Sequence, residues 1–375
     1  MINILILLPD QLKEPMGGMG EQARNILACF PMDYKFTVLG SADSEEYGET
    51  NFDYYPIMNI SPMNGNSEPF SLTYLNQSLF IEKALSLHIN PDIIHAFDWN
   101  SYWAGRILSN HYNVPLVVTM QLSIDKENKH PHTLQVLSHQ MACAIEMSGL
   151  IQADAIIQVS ESYSRLFNSF LLPKTSVIHN GINIEKWNKI NDVVLPGNNP
   201  VKVIYIGRFA EMKNVQTILQ CHLPDEIDLI FIGSTKGGNV ELFDSMLKFC
   251  EATPNAHFVG PKYGQEKVDW LLTADAVIVP SIHEPFGIVA LEALASRSIL
   301  LSSFVNGMSD FLSEDCAINC GITKESIEHA FDKLLQLIPS EKENMISAGL
   351  KVCEEHTWAL QASKMEKVYQ SVLNS

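Results

Sequence analysis

Arg208 and Lys213 stand five residues apart in the string Gly207-Arg208-Phe209-Ala210-Glu211-Met212-Lys213. A guanidinium can fork onto two phosphate oxygens, and an ammonium supplies a point charge. Two such cations in an acidic chain suit a pyrophosphate, although a surface Arg and Lys near helix ends would read the same in isolation. The second string runs Pro280-Ser281-Ile282-His283-Glu284-Pro285-Phe286-Gly287-Ile288-Val289-Ala290-Leu291-Glu292-Ala293. Pro285 stands where a helix can begin without losing a hydrogen bond, which predicts Phe286 to Val289 as its first turn. The free N–H groups of such a turn can hold a phosphate. Glu284 before the helix and Glu292 within it are acceptors for sugar or ribose hydroxyls. Each glutamate alone also reads as a cap or an exposed helical residue; the assembled string is the stronger signal.

A third string, Met16-Gly17-Gly18-Met19-Gly20-Glu21, follows the first apolar run. Gly17 and Gly18 would let the backbone approach a ligand at a helix start. The spacing is not G-x-G-x-x-G, and no acidic residue ends the next strand, so dinucleotide binding is not supported. Weaker candidates are His95, Asp98 and Trp99 in Asp92-Ile93-Ile94-His95-Ala96-Phe97-Asp98-Trp99, and Asn180 in the Asn180-Gly181 turn. His95 also reads as a satisfied core histidine, and the Asn-Gly turn as a hinge. His130, His132 and His139 read as loop and helix-surface residues. The chain contains no Asp-x-Asp, the usual carboxylate site for a metal–pyrophosphate chelate. Seven cysteines without a Cys-x-x-Cys give neither a disulfide framework nor a zinc ribbon; Cys316 and Cys320 read as packing thiols.

These strings need elements to position them. Apolar, β-branched runs predict strands at residues 2–8, 36–39, 93–96, 116–120, 155–159 and 176–178, separated mostly by helical patterns. Asparagine, glycine and proline then gather near 188–200, a linker composition. A second series follows at 201–206, 229–232, 257–259, 276–280 and 299–302. This punctuation predicts two doubly wound α/β domains with parallel sheets, residues 1–190 and 191–357. Residues 51–66, rich in Asn, Pro and Ser, read as a surface loop. Trp358, Ala362, Met365, Tyr369 and Val372 form the apolar stripe of a terminal helix.

The 375 residues carry 25 Lys+Arg against 43 Asp+Glu, a net charge of −18. Such a chain repels phosphate backbones and anionic lipid, which argues against a nucleic-acid binder or a membrane protein held by charge. The opening Met1–Asp10 has no basic region and too short an apolar run for a signal peptide, and no run reaches a membrane span. A cytoplasmic location is the expectation.

Taken together, Gly17–Gly20, DIIHAFDW, VSESY (Val159–Tyr163), VIHNGINIEKWN (Val177–Asn188), IGRFAEMKN and EPFGIVALEALA resemble the retaining GT-B glycosyltransferases. The nearest likeness is to family 4 and the glycogen/starch synthase group. The resemblance implies two Rossmann-like domains facing a cleft, the first on the acceptor side and the second binding a nucleotide sugar. It also implies a last helix, 358–375, packing back on the first domain. Carried over by motif, Arg208 and Lys213 bind the donor diphosphate, with Phe286, Gly287, Ile288 and Val289 at the helix start. Glu292 meets the ribose, Glu284 lies by the donor sugar, Gly18 approaches the phosphates, and Val259 and Gly260 border the base. His95, Asp98, Trp99 and Asn180 fall on the acceptor side. No metal or other cofactor is expected, the nucleotide sugar being a substrate and the acceptor a carbohydrate or other hydroxyl compound.

Several positions depart from the family pattern. Gln121 stands where many relatives have a histidine; it can bond a sugar hydroxyl but cannot take a proton. Pro15 replaces a lysine, and Asn306-Gly307-Met308-Ser309-Asp310 replaces a Gly-Gly-Leu-Pro-Glu-like string. The expected activity is transfer of a hexosyl group, glucosyl first, from an ADP- or UDP-sugar, with Glu284, Arg208, Lys213 and Gln121 at the reacting centre. A binding protein that has lost catalysis and a nucleotide-sugar epimerase remain open alternatives.

Overall fold

The computed structural model describes the chain except residues 13–17, 42–46, 50, 58–69, 124–132, 166–169, 189–190 and 235–237. Gly17, Pro15, His130 and His132 therefore lie outside the described residues. In chain order the first elements are β1 (Ile2–Leu8), α1 (Gly18–Leu27), β2 (Tyr34–Ser41), β3 (Tyr47–Gly48), β4 (Phe52–Ile57), α2 (Phe70–Ser86), β5 (Ile93–Phe97), α3 (Trp99–Tyr112), β6 (Leu116–Met120), α4 (Thr133–Gln152), β7 (Ala155–Gln158), α5 (Glu161–Ser164) and β8 (Thr175–Val177). Then come β9 (Val201–Ile206), α6 (Val215–Ile218), β10 (Ile227–Ile232), α7 (Val240–Ala252), β11 (Ala256–Phe258), α8 (Gly264–Thr273), β12 (Ala276–Val279), α9 (Ile288–Ala295), β13 (Ile299–Ser302), β14 (Ala317–Asn319), α10 (Lys324–Gln336), α11 (Pro339–Glu355) and α12 (Trp358–Leu373).

The chain forms two compact units. The first comprises Met1–Asn180 and Trp358–Ser375. Its sheet order is β3-β4-β2-β1-β5-β6-β7-β8, parallel except for the short β3–β4 pair. β1 reads as an almost unbroken apolar run because both faces of a parallel sheet are covered by helices. On one face α1 packs against α12, and on the other α3 packs against α2 and α4. The Asp10 carboxylate, buried just beyond β1, accepts from the Gly20 amide at 3.0 Å and so secures the start of α1. α12 is held by Tyr369, whose hydroxyl meets His95 Nδ1 at 2.6 Å, and by Gln370, whose amide donates to the Tyr34 hydroxyl at 2.6 Å.

The second unit is Gly181–Thr357, with the all-parallel order β11-β10-β9-β12-β13-β14. α6, α7 and α10 cover one face, sharing a core with Tyr205, Phe231 and Ile278; α9 and α11 pack together on the other. The stretch from Gly181 joins this unit because the Ile182 amide donates to the His356 carbonyl at 2.7 Å and Ile182 bridges Thr357. No helix among the described residues is long and apolar enough to cross a membrane.

One expectation needs correction. Residues 51–66 are not all loop: Phe52–Ile57 is β4, paired in parallel with β2. The polar composition of the stretch hid the buried Phe52, Tyr54 and Ile57. β14, only three residues long, gave no sequence signal of its own.

In each sheet the chain order reverses beside the first strand: β1 lies between β2 and β5, and β9 between β10 and β12. The helices after β9 and β12 depart to opposite faces, which opens a crevice at the carboxyl ends of those strands. The same holds for β1 and β5.

His95, on β5, is fully buried, and burial lowers its pKa to about 3. An unfolded histidine titrates near 6.5, so neutral His95 contributes stability that is whole above about pH 6.5 and is lost as pH falls toward 3. Urea titrations of the parent and His95→Gln should both weaken between about pH 7 and pH 5, the variant less steeply. Identical pH slopes would contradict this assignment.

Candidate functional site

The crevice at β9 and β12 gathers most of the charged residues singled out above. β9 ends at Ile206, and Arg208 follows two residues later. The Tyr205 hydroxyl donates to the Arg208 carbonyl at 2.9 Å, fixing the backbone there. The Arg208 side chain is exposed and makes no hydrogen bond or ion pair with any described residue. A 3₁₀ turn, Glu211–Lys213, then carries Lys213 and is ended by Asn214 in the left-handed region. Buried Asn214 is anchored by donating to the Ile322 carbonyl at 2.9 Å.

Opposite this turn the segment after β12 is stitched in place: the Ile282 amide donates to the Met212 carbonyl at 2.8 Å. The result is a direct pairing of the Lys213 ammonium with Glu284 Oε2. Glu284 is bracketed from behind, its amide donating to Asn306 Oδ1 at 3.2 Å and its carbonyl accepting from the Gly307 amide at 3.0 Å. Gly307 is obligatory for that approach, because a Cβ there would lie 1.9 Å from the Pro285 carbonyl oxygen. The Asn306-Gly307 string thus supports Glu284.

α9 begins later than the sequence predicts. Gly287, with φ of 102°, is the cap, and the first helical residue is Ile288. A side chain at Gly287 would be strained by that φ and would meet Met308 at 2.7 Å. Phe286 is therefore not part of an exposed first turn; it is buried against Phe311, with ring centroids 5.0 Å apart. The Ala290 amide returns to the Gly287 carbonyl at 3.0 Å, which leaves Ile288 and Val289 as the amides ahead of the first intrahelical bond. One turn on, Glu292 is buried and ion-paired with Lys267 of α8. Lys267 stands 25 residues away in sequence, and no local spacing announced it. Val259 and Gly260 lie beyond β11, where the Val259 amide donates to the Phe231 carbonyl at 3.1 Å and Gly260 has φ of 75°.

In the first unit Gly18 is exposed at the start of α1. Gln121, just after β6, donates from Nε2 to Oε1 of Gln22 on α1, a partner the sequence reading missed. Asp98, after β5, has φ of 63° and ψ of 160°, a backbone region normally left to glycine, and accepts from the Trp99 amide at 2.9 Å. Strain of this kind clusters at functional positions. His95 is placed otherwise than the acceptor-side reading expects: its Nε2 meets the Thr119 hydroxyl at 2.7 Å, its Nδ1 meets Tyr369, and no part of it is exposed. Asn180 is also buried, at the end of the unit. Among the described residues no group of three or more His, Cys, Asp or Glu side chains could hold a metal ion.

Residues 186–352 match the family described as Glycosyl transferases group 1, and residues 16–186 match Glycosyltransferase Family 4. The chain belongs to glycosyltransferase family 4. A glycogen synthase of Mycobacterium tuberculosis is 27% identical over 228 residues, 59% of this chain and 54% of that protein. The chain thus spans about half the length of that relative. Sucrose-phosphate synthase from Thermosynechococcus elongatus superposes with a TM-score of 0.83 at 19% identity, over 99% of each chain. The catalytic domain of starch synthase IV from Arabidopsis thaliana, bound to ADP and acarbose, gives 0.72 at 14% identity, over 100% of each. The fold of this family 4 glycosyltransferase is GT-B, with two Rossmann-like parallel-sheet domains.

The Lys267–Glu292 pair can be tested by stability. Lys267→Met strands a buried carboxylate and should cost about 3 kcal/mol in urea unfolding, at the low end for such pairs because the lysine stays a quarter exposed. Lys267→Met with Glu292→Leu should recover most of that loss. Equal losses in the single and double variants would show that the charges do not act as a pair.

Proposed function

We propose that this glycosyltransferase moves a hexosyl group, glucosyl first, from an ADP- or UDP-sugar to a hydroxyl of a glucan or other carbohydrate-type acceptor, with retention and without a metal. The observation that carries the reading is Arg208: an exposed guanidinium that pairs with no carboxylate of the described residues, at the sheet reversal of a chain of net charge −18. Lys213 and the opening amides of α9 lie in the same part of the unit. A linked pair of phosphates is the ligand class that uses all of them.

The chemistry follows from charge. As the bond between the anomeric carbon and phosphate oxygen breaks, negative charge grows on the nucleoside diphosphate and the sugar becomes oxocarbenium-like. Arg208, Lys213 and the Ile288 and Val289 amides stabilise that charge with little reorganisation. The new bond forms between the same carbon and the acceptor oxygen on the same face. The acceptor proton passes to the departing phosphate, so no carboxylate nucleophile and no basic residue at Gln121 is needed. Glu284, paired with Lys213, lies by the transferred sugar, and Glu292 accepts from the ribose hydroxyls. The starch synthase structure bound to ADP and acarbose supports this class of donor and acceptor by analogy of fold.

A panel of ADP-, UDP- and GDP-sugars with glucan and small-sugar acceptors should show one preferred donor and an α-linked product by NMR. Arg208→Ala should lower kcat/KM by about a hundredfold or more. If no donor is consumed and Arg208→Ala binds ADP and UDP as the parent does, the reading is wrong.

A further inference from the structure

The first unit has its own reversal of strand order, between β1 and β5, and two amide side chains meet there. Gln22 comes from α1, the helix that follows β1, and Gln121 follows β6; in the sheet β5 lies between those strands. Gln22 is fully buried. Its Oε1 accepts from Gln121 Nε2, while its own Nε2 is buried with no hydrogen-bond partner. Buried polar side chains are nearly always satisfied, so an orphaned amide at the carboxyl edge of a parallel sheet points to a ligand site nearby.

The bond also fixes how Gln121 is presented. Because its nitrogen is engaged by Gln22, the amide cannot rotate freely, and its oxygen is turned away from Gln22. That oxygen makes no bond to a described residue and is not among the buried unpartnered atoms. The pair therefore offers a neutral acceptor at Gln121, held by a residue that is itself out of a ligand's reach. A hydroxyl, which can donate to that oxygen, is the matching group.

We infer that Gln22 is a positioning residue that orients the Gln121 amide, carbonyl outward, to accept a hydrogen bond from a hydroxyl of a sugar substrate. This rests on the proposed glycosyltransferase reading. The sugar is either the transferred hexose or the acceptor. In both cases the site selects for a hydroxyl and against its deoxy analogue, since a site built to bond a hydroxyl strongly rejects a substrate lacking it.

The test uses the full chain with Gln22→Leu, which removes the anchor, and Gln22→Glu, which keeps an acceptor for Gln121 Nε2. Calorimetry is run with ADP, UDP and their glucose conjugates, and KM is measured for donor and acceptor separately. Both variants should bind the free diphosphates like the parent. Gln22→Leu should lose about tenfold in affinity for the sugar-bearing ligand or in acceptor KM, and Gln22→Glu should restore it. A loss confined to the donor conjugate assigns the hydroxyl to the transferred hexose; a loss confined to acceptor KM assigns it to the acceptor. Unchanged values for both, with the parent active, would overturn the role of Gln22 alone. A parent that binds no diphosphate would instead remove the glycosyltransferase reading, and this inference with it.

Discussion

At the carboxyl edge of the second sheet one guanidinium has no counter-ion among the described residues. Its neighbours are treated differently: Lys213 is matched by Glu284 and Lys267 by Glu292, so those pairs add little net charge. Of the three, Arg208 is exposed and has no ion-pair partner among the described residues. In a chain with so many more acidic than basic residues, that local excess has to be built against the overall field. The surrounding packing does this. The hydroxyl of Tyr205 holds the Arg208 backbone, buried Asn214 ends the lysine turn, and Gly307 lets the Glu284 segment approach closely.

The two units use the same sheet reversal for different ends. In the second it assembles charge beside helix amides, which on the proposed reading suits a leaving diphosphate. In the first it assembles neutral amides, Gln22 and Gln121, beside a strained Asp98. Neutral groups suit hydroxyls, which need direction more than charge. His95, which lies on the strand between them, is withdrawn into the core to hold α12 through Tyr369. On the proposed reading, that division of labour separates the groups that meet a diphosphate from those that meet a sugar hydroxyl.

Much of this could be read before the structure was known, for identifiable reasons. Strands buried on both faces leave apolar runs, so β1, β6, β9 and β13 were found with their boundaries. Arg208, Lys213 and Glu284 stood out in the sequence, and Lys213 and Glu284 meet in the structure, because they sit on turns next to strands, where sequence spacing maps onto space. Lys267 and Gln22 were not found, because each meets its partner across the fold, 25 and 99 residues away. Phe286 was misplaced because Pro285 is a good helix-starting residue; the start moves to Ile288 only because Gly287 adopts a conformation whose neighbours come from the Asn306-Gly307 turn. β4 was hidden by polar flanks that say nothing of its inward-facing aromatics.

The most direct measurement is the structure of the chain with ADP or UDP bound. The account predicts the two phosphates within hydrogen-bonding distance of the Arg208 guanidinium, the Lys213 ammonium and the Ile288 and Val289 amides, with the ribose beside Glu292. A diphosphate seated elsewhere, with Arg208 still facing solvent, would contradict it.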